Sequence, residues 1–166
     1  ATATTATNPV ANTLMAALPS DLRAVIQPMT IYTDNTGGGS DNPSYVTKTT
    51  DYLPLLAEYE IFGTRSYANS AEKNYQAQYA YYSAGNSKVK YRHSATGSTA
   101  WWWERSPNYN NSNNFCNVNT NGNANNNNAR NSNGVAPDFV NQKWSGSIVV
   151  AQRVNYDPYE RRKYFP

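Results

Sequence analysis

The sequence predicts an α+β fold built on an antiparallel sheet. Three observations carry that expectation. Apolar residues at helical spacing cluster before residue 84. Period-two and β-branched stretches dominate after it. Asparagine- and glycine-rich turn signals separate the later strands at hairpin distances. The chain of 166 residues fits one domain with room for a core.

Residues 8–27 place Leu14, Leu18, Leu22, Val25 and Ile26 three or four apart, giving one apolar stripe. Pro19 has no N–H to donate, and Ser20 or Asp21 can cap a new start. Two short helices broken near Leu18 are therefore expected. Residues 29–33 alternate and form a predicted strand. Residues 34–43 contain Gly37, Gly38 and Gly39 among polar residues and mark a mobile loop. No helix with Lys-Ser or Lys-Thr follows, so this is no phosphate cradle. Residues 45–50 are a second predicted strand.

Residues 53–62 are apolar around Glu58 and Glu60, with Pro54 suited to a first helical turn and Gly63 to a stop. The two carboxylates project to different helix faces, which suits structural or partner-facing roles rather than acid/base work. Residues 70–83 predict a further helix with Ser70 as N-cap and Glu72 in its first turn. Tyr75, Tyr79 and Tyr82 then share a face, and Gly85-Asn86 ends it. Strands are expected over 89–91 and 99–105. Trp101, Trp102 and Trp103 cannot all face one side of a strand, so at least one is expected buried and at least one facing solvent or another element. Residues 115–120 and the chain from 123 read as a hairpin around an Asn121-Gly122 type I′ turn. Residues 134–140 read as a returning strand and 147–154 as a last one.

The formal net charge is only +3, too weak and scattered for electrostatic nucleic-acid binding. Arg161, Arg162 and Lys163 read as a solvated charge run. Cys116 is the lone cysteine, so no intrachain disulfide forms. Beside Phe115 and Val118 it reads as a buried, inert thiol. His93, the lone histidine, lies far off in sequence, which argues against a Cys116–His93 dyad. The usual zinc constellations are absent, and no metal or cofactor is expected. No apolar run approaches a membrane span, and no signal core opens the chain. Ala1 to Thr7 carries no initiating Met, so a processed product or a piece of a longer protein is expected.

Between residues 108 and 133 asparagine fills more than half the positions. Phe115, Cys116 and Val118 run through the tract, which a disordered polar segment would not hold so close together. The pattern suggests apolar anchors with exchangeable surface positions around them. The bland alternative is a set of asparagine turns. Aggregating asparagine ladders are weaker still, because Phe115, Val118, Ala124 and Val135 are spaced as a core requires. The alternation predicts Phe115, Cys116, Val118, Ala124, Val135 and Phe139 buried and the asparagines exposed close together. High tyrosine content suits a binding face as well as a core.

The stretches Trp102-Trp103-Glu104-Arg105-Ser106-Pro107, Phe115-Cys116-Asn117-Val118-Asn119, Gly122, Ala124 and Gly134-Val135-Ala136-Pro137-Asp138-Phe139 together resemble a known family. They look like the C-terminal part of C-type-lectin-fold domains in bacterial and phage surface proteins. Variable proteins of diversity-generating retroelements, including tropism determinants at phage tail tips, are members. Leu18-Pro19-Ser20-Asp21-Leu22-Arg23, Tyr32-Thr33-Asp34-Asn35-Thr36-Gly37-Gly38-Gly39 and Glu60-Ile61-Phe62-Gly63-Thr64-Arg65 are similar to a phage-associated branch. The likeness covers most of residues 12–140. Two departures stand out. The family usually closes soon after the Gly-Val-x-Pro-x-Phe stretch, and it tends to carry more sequence ahead of the first helices.

The resemblance implies a C-type lectin fold over residues 1–143, with short N-terminal helices, a small antiparallel sheet and long surface loops. It implies a variable region at about 108–133. In such retroelements a reverse transcriptase miscopies adenines, and asparagine codons begin with two of them. Scattered asparagine is then what an unmutated variable region shows. The implied ligand-binding residues are Asn108, Tyr109, Asn110, Asn111, Asn113, Asn114, Asn117, Asn119, Asn121, Asn123, Asn125, Asn126, Asn127, Asn128, Asn131 and Asn133. The implied function is non-catalytic host recognition, by a phage tail-fibre tip or a bacterial surface protein. The partner is a host cell-surface protein or glycan, with neither nucleic acid nor membrane insertion involved. Residues 144–166, rich in aromatics, are a C-terminal extension expected to pack on its own domain or on a neighbouring chain, and the resemblance favours a homotrimer. The alternative is a structural virion or adhesin module without diversification. Neither Glu-Pro-Asn nor Trp-Asn-Asp occurs, so the lectin fold need not mean calcium or sugar. Formylglycine-generating enzymes share the broad fold, but Cys116 alone is a poor basis for their thiol and metal chemistry.

Overall fold

The computed structural model describes residues 9, 11 and 13–141. The predicted strand at 147–154, the basic run at 161–163 and the aromatic extension from 144 lie outside them. The protein is mixed α and β, with short helices and small antiparallel sheets.

Two one-turn helices open the described chain, α1 (Leu14–Ala17) and α2 (Ser20–Arg23). Thr13 caps α1 through its side chain, whereas Pro19 precedes α2 with no side-chain cap. The break at Leu18 is therefore made by proline, and Ser20 and Asp21 both lie inside α2. Strand β1 (Ile26–Gln27) pairs antiparallel with β9 (Val140–Asn141), tying the two ends of the described chain together. Met15 and Ile26 form a small core here with Leu18, Leu22, Tyr52, Leu53 and Phe139 packed on it. Strands β2 (Met29–Asp34) and β3 (Val46–Asp51) pair without interruption from Met29↔Asp51 to Asp34↔Val46.

The apolar run 53–62 is helical only at α3 (Glu58–Phe62). Its first half is extended because distant segments take its carbonyls. The Arg105 N–H reaches the Leu56 carbonyl at 2.9 Å, and the Asp138 N–H reaches that of Pro54 at 2.8 Å. Those bonds replace the ones a helix would have made. Gly63 ends α3 at φ 70°, as the sequence suggested.

The helix expected over 70–83 is instead a 3₁₀ turn (Ser70–Asn74) and a one-turn α4 (Ala80–Ser83). Asn69, not Ser70, is the N-cap, accepting the Ala71 N–H. Between the two, Tyr79 donates its N–H to the Glu60 carbonyl, and Gln76 and Gln78 bond the carbonyls of Tyr32 and Ile61. Tertiary bonds again outcompete helical ones, and the three tyrosines part company. Tyr82 is buried, while Tyr75 is exposed and stacks on Tyr32 with centroids 4.4 Å apart.

Strands β4 (Lys90–Arg92) and β5 (Ala95–Ala100) form an exposed hairpin. The strand expected over 99–105 breaks at Trp101. Gly134 bridges the chain there: its N–H bonds the Trp101 carbonyl and its carbonyl accepts the Trp103 N–H. Beyond the break, β6 (Trp102–Pro107), β7 (Asn114–Val118) and β8 (Ala124–Asn128) make a three-stranded sheet in that order. Trp102 is buried and its two tryptophan neighbours are half-buried, as the triplet demanded. The main core is Leu56, Ile61, Tyr82, Trp102 and Val118. The returning strand expected over 134–140 is reduced to single bridges at Gly134 and Pro137 plus β9.

Candidate functional site

The site is the β7–β8 hairpin with the turns at both of its ends. Pairing runs from Asn114↔Asn128 to Val118↔Ala124, so residues 119–123 form the connecting loop. This is wider than the two-residue turn expected, because Asn119 organises it. Its side-chain oxygen accepts the N–H groups of Asn121 (2.9 Å) and Asn123 (3.0 Å). Gly122 supplies φ 84°, a region open to glycine.

At the other end, Asn108 Oδ1 accepts the Asn110 N–H at 2.9 Å, and Asn111 Oδ1 accepts that of Asn113 at 2.9 Å. Asn128 does the same for Arg130. These are asparagine turns, each holding its own backbone. The Ala129 N–H bonds the Asn113 carbonyl, joining the two turns into one tip. The glycine loop supports that tip from below. Gly39 has φ 65°, and a Cβ there would come within 2.8 Å of the Ser112 nitrogen, so the backbone approach requires glycine.

The asparagines therefore do not make one uniform exposed patch. Asn110, Asn111, Asn113 and Asn131 are exposed at one tip, and Asn121 and Asn123 at the other. The tips stand about 20 Å apart along the strand. Asn114, Asn119, Asn125, Asn126, Asn127, Asn128 and Asn133 are half-buried. Asn114 Nδ2 donates to Asn126 Oδ1 at 2.6 Å across the hairpin. Two predicted display residues are buried, Asn108 at 3% exposure and Asn117 at 0%. Asn108 sits under its own turn. Asn117 is in the middle strand at its buried end, and neither of its amide atoms has a hydrogen-bond partner among the described residues.

The alternation rule also misplaces some apolar residues. Cys116 and Val118 are fully buried as expected, but Phe115 and Val135 are exposed, and Ala124 and Phe139 are half-buried. Phe115 falls on the sheet face opposite Cys116, and Val135 follows the Gly134 bridge outside any strand.

Tyr109 is half-buried and fixed. Its N–H bonds the Tyr67 carbonyl at 2.8 Å, and the Arg65 guanidinium lies 3.9 Å from its ring centroid. Arg65 pairs with Asp41 at 2.8 Å. Burial alone would raise the Asp41 pKa, but the Ser70 N–H and Arg65 outweigh it and hold it low. Sequence reading missed Arg65 and Asp41, which lie 24 residues apart. Nothing local links them to the asparagine tract.

Beneath the hairpin lies a polar interior. Arg105 grips both Glu60 oxygens at 2.6 Å and also bonds Thr33 and the Leu55 carbonyl. Glu72 accepts the Asp34 N–H and the Ser106 hydroxyl. Glu58 is buried and accepts backbone N–H groups from Ser66, Tyr67 and Ala68. Glu58 and Glu60 are thus structural, one of the two roles the sequence suggested. Cys116 is fully buried against Tyr59 and Ala68 and points its sulfur at the Pro107 carbonyl. Burial pushes its thiol well above the ordinary range, with the nearby carboxylates adding to the effect. His93 is exposed in the β4–β5 turn.

The chain matches a protein family described as a domain of unknown function, DUF6273, over residues 10–142. It belongs to that family. No match appears among curated proteins or solved structures. Among the described residues, no helix is long and apolar enough to cross a membrane.

Proposed function

We propose that this member of the DUF6273 family is a receptor-binding domain, displaying exchangeable asparagines on a C-type-lectin-type scaffold. One observation carries the reading. The exposed asparagines sit at two hairpin tips, while the residues that hold the hairpin, Cys116 and Val118, are fully buried between them. Substitution at the tips then leaves the scaffold standing. Asparagine amides offer both donors and acceptors, so the tips suit hydroxyls of a glycan or the backbone of a protein. Tyr109, held by Arg65, adds a rigid aromatic surface. The domain works without catalysis, at a phage tail-fibre tip or on a bacterial surface, as a homo-oligomer for which a trimer is favoured. The 108–133 segment is the target of a retroelement that miscopies adenines.

The test is binding of the labelled full chain to a panel of bacterial cells and an array of surface glycans. A variant carrying substitutions at Asn110, Asn113, Asn121, Asn123 and Asn131 should lose or exchange its target while melting unchanged. Binding that ignores all five positions would overturn the reading. At the nucleotide level, the account expects a near-copy of the 108–133 coding segment beside a reverse-transcriptase gene.

A further inference from the structure

The interior between α3, β6 and β7 holds ligand-type groups that target recognition does not use. Glu58, Glu104 and Cys116 each offer one donor atom, and those atoms all lie within 4.8 Å of one another. Their exposures are 0%, 1% and 0%. Three chain segments far apart in sequence supply them. Glu58 comes from the first turn of α3, where its carboxylate is fixed by the N–H groups of Ser66, Tyr67 and Ala68. Glu104 shares a face of β6 with Trp102, and Cys116 shares the matching face of β7 with Val118.

A second observation points to a missing ligand. Neither Glu104 oxygen has a hydrogen-bond partner among the described residues, although the side chain is completely enclosed. A bare buried carboxylate is among the costliest groups a core can hold. The neighbouring cation, Arg105, is already engaged by Glu60, Thr33 and the Leu55 carbonyl. The donor set indicates what fits. Calcium and magnesium sites are built of six or more oxygens, whereas a thiolate with carboxylates suits a borderline-soft ion.

We propose that Glu58, Glu104 and Cys116 form a buried structural site for a divalent metal of the zinc class. Binding releases to solvent the Cys116 thiol proton and any proton held by Glu104, and leaves both carboxylates ionised against the ion. Zinc bonds of about 2.0–2.3 Å place tetrahedral ligand atoms about 3.3–3.8 Å apart, inside the 4.8 Å within which the three donor atoms lie. The Pro107 carbonyl, 3.8 Å from the Cys116 sulfur, is a backbone oxygen that could take a fourth position. Enclosure on all sides means the ion enters as the chain folds. The site would brace the sheet under the hairpin and stands independently of what the tips bind.

The test uses the full chain, unfolded and refolded either in chelator or in zinc, then desalted. The zinc-refolded protein should retain about one ion per chain and melt higher. Cobalt in place of zinc should give a near-ultraviolet thiolate charge-transfer band, absent in Cys116→Ser. Glu104→Gln should weaken zinc binding by at least the roughly 10–100-fold typical of losing an outer-shell partner. Three results would overturn the site. One is equal melting of the two preparations with no retained metal. Another is a cobalt complex lacking the thiolate band. The third is a more stable Glu104→Gln protein with no change in metal content, which would show that a proton neutralises Glu104. The refolding comparison on the unaltered chain decides the matter even where a variant fails to fold.

Discussion

The hairpin tips and the interior beneath them are built from similar polar residues and use them in opposite ways. At the tips every asparagine turn is local. Asn108, Asn111, Asn119 and Asn128 bond backbone two residues on, and Asn119 also reaches four. In the interior the bonds span long stretches of chain. Asn69 holds Asp34 across 35 residues, Ser106 holds Glu72 across 34, and Arg105 holds Glu60 across 45. The range of a residue's bonds, rather than its type, sets whether it can be exchanged. A local bond can be lost with its own turn, whereas a long-range one closes a loop of the fold.

The largest effect is expected from a charge in the hairpin's buried anchor. Val118→Asp should leave no folded population by circular dichroism, because it buries a charge in the main core. Next comes Arg105→Met, which strands Glu60 and should cost about 3–5 kcal/mol in urea unfolding. A loss below about 1 kcal/mol would show that the interior network is dispensable. Asn117 sharpens the comparison from the other side. It is buried, yet neither of its amide atoms is partnered among the described residues. Asn117→Leu should be neutral or stabilise by about 1–3 kcal/mol. Clear destabilisation would show that its amide is satisfied by ordered water.

The smallest effect is a pH slope. Burial raises the Asp138 pKa, partly offset by bonds from the Tyr79 hydroxyl and the Phe139 N–H. The folded state therefore binds that proton more tightly than the unfolded chain. The contribution is largest below the ordinary Asp value and is lost as pH rises through the folded one. Asp138→Asn should flatten the fall in melting temperature between acidic and neutral pH, and an unchanged slope would remove Asp138 from the account.

What the sequence made legible follows the same division. The β2 and β3 strands, the break at Pro19, the Gly63 stop and the buried Cys116–Val118 anchor rest on local signals, and all appear in the structure. The helices expected over 53–62 and 70–83 shrink to single turns because Arg105, Asp138 and Tyr79 bond their backbones from afar. Periodicity contains no trace of those partners. Alternation misassigned Asn117 because it assumes one wet face, and the middle strand has none at Asn117, whereas Phe115 was expected inside beside Cys116 although neighbours on a strand face opposite ways. The Glu58, Glu104 and Cys116 cluster was invisible for a similar reason. Its members come from three separate elements, and no spacing rule joins them.

On the proposed reading the tips are exchangeable while the scaffold is not. The most direct measurement is the unfolding free energy of a chain with Asn110, Asn113, Asn121, Asn123 and Asn131 replaced together by Ser, Tyr or Asp. Exposed substitutions each shift stability by about 0.5 kcal/mol or less, with either sign, and distant sites add. The summed change should stay under about 1 kcal/mol, with the urea slope unchanged. A loss approaching that of Arg105→Met would contradict that reading, because the tips would then be part of what holds the fold together.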